Sequence, residues 1–294
     1  MKKLAFIKRS NGNHWVGDGF PVKSIFSYSD IAEEMSPFLL MDYAGPADFP
    51  PTDHKLGVGQ HPHRGFETVT IVYEGGVSHR DSSGGGGTIG RGDVQWMTAG
   101  AGLIHEEYHS RDYAEQGGPF EMVQLWVNLP AKNKMADPGY QSITADQIPE
   151  VALPRDAGKA RIIAGQYGGV AGPARTFTPM NVWDLRLKRG HRVSFDLTEG
   201  DTTALFVLNG AIRLNDQHQV GAAELAVMER ADRHLEFEVL KDTTLLLLNG
   251  TPLNEPIVGH GPFVMNSKEE IIQALTIFRA VTSDKSKTNP APYF

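Results

Sequence analysis

Apolar residues in this chain come in short runs broken by turn residues, not in long helical stripes. LAFIKRS, HWVGDGF and VKSIFSY open it, with Asn11-Gly12-Asn13 and Gly17-Asp18-Gly19 between them. Runs of this kind, apolar and bounded by glycine or asparagine, predict strands. SPFLLMDYAG predicts another, and AGPADFPPTDHK a loop in which Pro51 limits regular structure. FETVTIVYEGG, rich in β-branched and aromatic residues, predicts a strong strand ended by a turn at Glu74-Gly75-Gly76. Asp93 to Met97 and MVQLWVNLP predict two more. Gly84 to Gly87 lack a following GK[ST] and open no helix, so they predict a flexible hairpin tip and not a phosphate loop. KNKMADPGYQSITADQIPEVALP is polar and proline-punctuated, and places a domain boundary near residue 140.

The second half repeats the first faintly. LFVLNGAIRLND resembles TIVYEGGVSHRD, and GAAELAVM resembles GDVQWM. Such self-similarity predicts two related units, residues 1–140 and 141–294. Near the end, Ser267 and Glu270 fit a capping box, and Ile271, Ile272, Leu275 and Phe278 follow at helical spacing. They predict one helix packed on a barrel, with SDKSKTNPAPYF as a frayed tail.

Composition sharpens this picture. With 40% hydrophobic residues, 32 glycines and 18 prolines, the 294-residue chain reads as all-β and able to bury sizeable cores. Cysteine is absent, so any metal must be held by nitrogen and oxygen donors. A formal charge of −7 argues against non-specific nucleic-acid binding, which rests on Lys and Arg, and no DNA-reading element is recognisable. Met1-Lys2-Lys3 resembles the start of a signal, but the apolar run Leu4 to Ile7 is too short to continue it. No stretch is long enough to span a membrane. The expectation is a soluble, cytoplasmic protein.

The chemistry concentrates between residues 57 and 109. His61-Pro62-His63 and His105-Glu106-Glu107 each set two ligand-type side chains two residues apart. On a strand, that spacing points both to one face. HxH alone fits two solvated loop histidines equally well. The second pair, downstream at the same period, favours a site. If the two strands meet inside a barrel, three imidazoles and one carboxylate converge as a mononuclear metal site. Such a set suits one divalent first-row transition metal, and an octahedral arrangement leaves two positions open, as catalytic sites do. His54 is a lone loop histidine assigned to solvent. In the second half, Asp196 and Thr198 fall where HxH would be. His234-Leu235-Glu236 is similar to HxE, but His234 reads better as a surface strand residue, leaving a degenerate site.

HPHRGFETV, GDVQWMTAGAGLIHEE, QLWVNLPAKNKMADPGYQ and EPIVGHGPFVMN resemble the pirin family, within the cupin superfamily. The resemblance covers nearly the whole chain. It implies two cupin (jelly-roll) β-barrels packed in tandem, with a short C-terminal helix. It also implies His61, His63, His105 and Glu107 as the ligands, and Fe(II) as the metal. A general cupin would use Glu67, kept here in reserve, and would carry Pro and Asn where this chain has Gly100 and His109. Some pirins are similar to quercetin 2,3-dioxygenases, which cleave the flavonol ring with dioxygen. The small-molecule partners would then be an aromatic substrate and dioxygen, with Glu107 taking the proton of the substrate hydroxyl. Other pirins are described as transcriptional co-regulators, in which an iron centre acts as a redox-sensitive switch for binding a protein partner. The resemblance thus implies either function, the dioxygenase ahead of the regulator.

Overall fold

The computed structural model describes residues 1–10 and 12–283. Nearly all regular structure is antiparallel strand, gathered into two compact units. Among the described residues, the first unit holds 12–32, 38–145 and 254–283; the second holds 1–10, 33–37 and 146–253.

In the first unit a seven-stranded sheet runs in the order Gly139–Ile143, Val94–Thr98, Phe66–Glu74, Gly118–Asn128, Phe38–Phe49, Phe20–Phe26, Asn13–Val16. A four-stranded sheet completes the barrel in the order Gly57–His63, Leu103–His109, Gly76–Asp81, Gly86–Gly90. Their inner faces meet in an apolar layer, with Val77 and Ile89 from the small sheet against Phe20, Val72, Phe120 and Met122 from the large one. This layer lies beyond one end of the histidine motifs and excludes water there.

The second unit repeats the plan. Its seven-stranded sheet runs Leu4–Arg9, Glu224–Met228, Thr202–Asn209, Thr243–Gly250, Met180–Leu187, Gly158–Ala164, Glu150–Ala152. Its four-stranded sheet runs Arg192–Asp196, His234–Val239, Ala211–Leu214, His218–Gly221. Trp183, Phe195, Leu235, Phe237 and Leu247 are among the residues that fill it. The expected all-β architecture of two cupin barrels with one C-terminal helix is the observed one.

The chain is shared between the units differently from a single cut near residue 140. Gly139–Ile143 pairs with Val94–Thr98 and stays in the first barrel, while Leu4–Arg9 takes the same edge position in the second, against Glu224–Met228. An exposed edge accepts whichever strand reaches it, and sequence distance does not enter that choice.

The helix Lys268–Ser283 also belongs to the first unit. Its capping box forms as expected: Glu270 N–H donates to Ser267 Oγ at 3.2 Å, and Ser267 N–H donates to the Glu270 carboxylate at 3.0 Å. Ile271, Leu275 and Phe278 pack on a hairpin made by Val258–His260 and Phe263–Met265, and Ile272 stays exposed. The proposed tail beyond Ser283 and the Asn11 part of the first turn lie outside the described residues.

Candidate metal centre

His61 and His63 stand on Gly57–His63, and His105 and Glu107 on the adjacent strand Leu103–His109. The two strands are antiparallel, with His105 opposite His61 and Leu103 opposite His63. A register shift then places Glu107 opposite Val58, so Gly59 and Gln60 bulge. Bulges re-aim neighbouring side chains, and here the bulge lets His61 Nδ1 lie 2.8 Å from the Gly59 carbonyl. A carbonyl only accepts, so that nitrogen carries the proton and Nε2 keeps its lone pair.

The three imidazoles do converge. Ring centroids are 4.8 Å apart for His61 and His63, 4.2 Å for His61 and His105, and 4.7 Å for His63 and His105. Their ligand atoms all lie within 4.8 Å of one another. Glu107 enters a second, overlapping group with His105 and His79. It is buried, with one carboxylate oxygen accepting from Gln124 Nε2 at 3.1 Å and the other at 3.5 Å from Thr70 Oγ1. His79 is the residue that the sequence reading missed. It faces the same interior from Gly76–Asp81, opposite Glu107, and its Nδ1 lies 3.1 Å from His105 Nδ1. Its only sequence signal is SHRD, a third two-residue spacing of ligand types.

His63 and His105 are 4% and 1% exposed, so desolvation dominates their protonation. Burial lowers both pKa values well below the usual 6.5, and the neighbouring imidazoles lower them further. Both are therefore held neutral, as ligands must be. His63 Nδ1 and His105 Nε2 are buried with no hydrogen-bond partner. An orphaned buried polar atom costs about 1–3 kcal/mol, so the cluster is poorly explained as mere packing. Lone pairs on neutral imidazoles beside a carboxylate fit a divalent first-row metal, and the absence of sulfur donors agrees.

The other sequence candidates sit apart. Glu67 accepts from Thr98 Oγ1 at 2.8 Å and joins neither group; burial pushes its carboxyl up to about 7. His109 donates toward the Gly19 carbonyl at 2.8 Å and packs between Phe49 and Phe120, a core residue. His54 is exposed. In the second barrel the inward positions are Phe195 and Leu197, not Asp196 and Thr198, and Leu235 and Phe237, not His234 and Glu236. The inward positions are offset by one residue from the first barrel's because the turn at Thr198–Gly200 is longer than its counterpart after His63. A one-residue slip turns a strand's side chains to the opposite face.

The turn after His63 is firmly held. A Cβ at Gly65 (φ +89°) would lie 2.0 Å from the Val264 carbonyl, so only glycine lets the chains approach. Buried Lys134 donates to the Gly65 carbonyl, the Asn128 side chain and the Val264 carbonyl at 2.6–2.9 Å. Burial lowers its ammonium to about 7 against the pull of Glu255 and Glu270. A groove of about 1020 Å³ runs along Lys55, Ser78, Arg80, Glu106 and Tyr108, which alternate with the inward residues and so lie on the sheet's outer face. Its lining reaches His79 and Asp81 but none of His61, His63, His105 and Glu107, so it is not the mouth of the cluster.

The chain matches the family model described as Pirin over residues 19–127 and the one described as Pirin C-terminal cupin domain over residues 182–284. A Pseudomonas aeruginosa protein named "Putative quercetin 2,3-dioxygenase" is 56% identical over 278 residues, covering 95% of this chain and 97% of its own. Pirin of Homo sapiens is 35% identical over 255 residues, 84% of this chain and 82% of its own. A crystal structure of quercetin 2,3-dioxygenase from Acinetobacter baumannii matches with a TM-score of 0.94 and 52% identity, covering 97% of this chain and 99% of its own.

Proposed function

Because the chain belongs to the pirin family, we propose that it is a metal-dependent dioxygenase that cleaves flavonols such as quercetin oxygenolytically. The observation that carries this reading is the convergence of three imidazoles, of which His63 and His105 are held neutral by burial and carry buried, unpartnered nitrogens. His61, His63, His105 and Glu107 would hold one divalent first-row metal, Fe(II) by the family resemblance. Bound there, the metal would supply Lewis acidity toward an anionic substrate oxygen and a redox partner for dioxygen.

The chain's own residues supply the rest. Burial keeps His63 and His105 neutral, so their lone pairs stay available for ligation. Gln124 occupies one Glu107 oxygen at 3.1 Å, while the other has only the long contact with Thr70. That second oxygen, Oε1, is the atom to take the proton of the flavonol 3-hydroxyl. Phe66 and Trp126 stack at 4.2 Å beside His63 and give the site an aromatic wall that matches a flat substrate.

The test is elemental analysis followed by oxygen uptake with a panel of flavonols. The expected result is one metal per chain and dioxygen consumption with at least one flavonol. Iron-loaded protein that consumes none would overturn the dioxygenase reading and favour the alternative, an iron-dependent regulator of a protein partner.

A further inference from the structure

We propose that Asp81 and His79 form a positioning relay that fixes the ring tautomer of His105, so that its Nε2 lone pair is the one offered to the metal. The inference rests on the reading above that His105 is a ligand.

The relay starts at the glycine-rich hairpin tip. Asp81 Oδ1 accepts from Ser83 N–H at 2.9 Å, Ser83 Oγ at 2.6 Å and Gly85 N–H at 3.1 Å. The turn closes tightly around the carboxylate: a Cβ at Gly85 would lie 2.6 Å from Asp81 Oδ2. Three donors on one oxygen favour the charged carboxylate. A charged carboxylate only accepts hydrogen bonds.

The proton positions then follow one from another. Asp81 Oδ2 lies 3.1 Å from His79 Nε2, and both side chains are fully buried. Because the oxygen only accepts, the hydrogen is on Nε2. A ligand imidazole must offer a bare nitrogen, and the His105 nitrogen left without a partner is Nε2, so His79 Nδ1 is the acceptor of the pair. His105 Nδ1 lies 3.1 Å from it, so the hydrogen between the two rings belongs to His105. That leaves His105 Nε2 bare, and it is the buried ring nitrogen of His105 with no partner. Tyr140 stacks on His79 with a 5.3 Å centroid separation and 14° between planes, which holds the middle ring in register. His61 needs no such relay, since a backbone carbonyl sets its tautomer. Outer partners of metal-bound histidines act in this way, and their loss typically weakens metal binding about 10- to 100-fold.

Asp81→Asn tests the idea with an almost isosteric change. Ser83 and Gly85 still demand an oxygen, so the amide NH₂ must face His79 Nε2 and donate to it. His79 then carries its proton on Nδ1 and donates to His105 Nδ1, which moves the His105 proton onto Nε2 and removes the ligand lone pair. Nickel(II) affinity of the full chain, measured by competition with a chelator, should fall about 10- to 100-fold. His79→Asn places an amide oxygen where Nδ1 was and keeps an acceptor for His105 without help from Asp81. It should bind nickel within a few-fold of wild type, and adding Asp81→Asn to it should cost nothing more, a coupling that general loss of structure would not produce. His63→Ala serves as the reference. Wild-type nickel affinity in Asp81→Asn, with loss in His63→Ala, would overturn the relay alone; retention in His63→Ala would overturn the metal site itself. If Asp81→Asn does not fold, long-range ¹⁵N–¹H NMR of the metal-free wild type decides. Protonated Nδ1 and bare Nε2 on His105 are expected, and the opposite tautomer refutes the relay.

Discussion

In the first barrel His105 pairs with His61, and Glu107 with His79. At the matching positions of the second barrel Leu235 pairs with Phe195, and Phe237 with Leu214. Leu197 stands two residues after Phe195, as His63 does after His61. Every member of the polar cluster in one barrel thus has an apolar counterpart in the other. The five apolar residues are no more than 3% exposed, and burying each contributes about 1.5–3 kcal/mol. The first barrel forgoes that gain and leaves imidazole nitrogens unpartnered. The fold therefore does not require the cluster, and the second barrel shows how the same sheets close without it. A ligand that bound only the folded state would offset that cost.

Removing a ligand breaks the comparison most severely. His63→Ala should abolish tight metal binding and, with it, metal-dependent activity, while the apolar layers keep both barrels folded. The wild type should hold one equivalent of metal. Two equivalents by elemental analysis, or full occupancy in the variant, would place a site elsewhere, with His234 and Glu236 the first suspects.

Glu107→Gln asks whether the polar barrel is an enzyme or only a metal holder. The amide keeps the shape and one donor oxygen but is not basic. It also removes a negative charge from the metal's surroundings, so some affinity loss is expected and activity must be normalised to bound metal. Flavonol cleavage per metal should fall about 10²- to 10⁴-fold, the usual contribution of a general base. An unimpaired variant would leave dioxygenase chemistry standing and move the base to Glu67 or to dioxygen itself.

Swapping counterparts should have smaller effects of opposite sign. Leu235→His puts an unpartnered imidazole into an apolar core and should destabilise by about 2–5 kcal/mol in urea unfolding. His105→Leu in metal-free protein removes an orphaned nitrogen at the cost of one hydrogen bond to His79. It should be neutral or stabilising by up to about 2 kcal/mol. A loss of several kcal/mol instead would mean that the cluster supports the fold by itself.

The convergence of His61, His63 and His105 was legible in the sequence because a strand's period of two matches the spacing of HPH and HEE. His79 was not, since SHRD reads as an ordinary strand end until register sets it opposite Glu107. The second barrel's repeat was legible in LFVLNGAIRLND, but its facing was not, because one added turn residue inverts inside and outside. Nor could the edge position of Leu4–Arg9 be read, since its partner Glu224–Met228 lies at the far end of the chain. Local patterns announce strands, but pairing decides which faces meet.

The last expected effect is on pH dependence, and its sign follows from burial. His63 and His105 have folded-state pKa values well below 6.5, so they stay neutral in the fold where the unfolded chain is protonated. The unfolded state then binds more protons, and stability falls as pH drops below about 6.5. Each group can contribute a slope of up to about 1.4 kcal/mol per pH unit in that window. The apolar counterparts Leu197 and Leu235 contribute none. Metal-free wild type should therefore lose stability between pH 7 and pH 5 in urea titrations. Replacing both histidines by leucine should remove that loss, leaving His109, whose pKa is also lowered by burial, opposed by Glu67, whose carboxyl is raised to about 7 and so stabilises the fold as pH falls through this window. A slope unchanged in the double variant would show that the buried imidazoles are not held neutral at the cost of folding. The contrast between a polar and an apolar barrel would then lose its energetic basis.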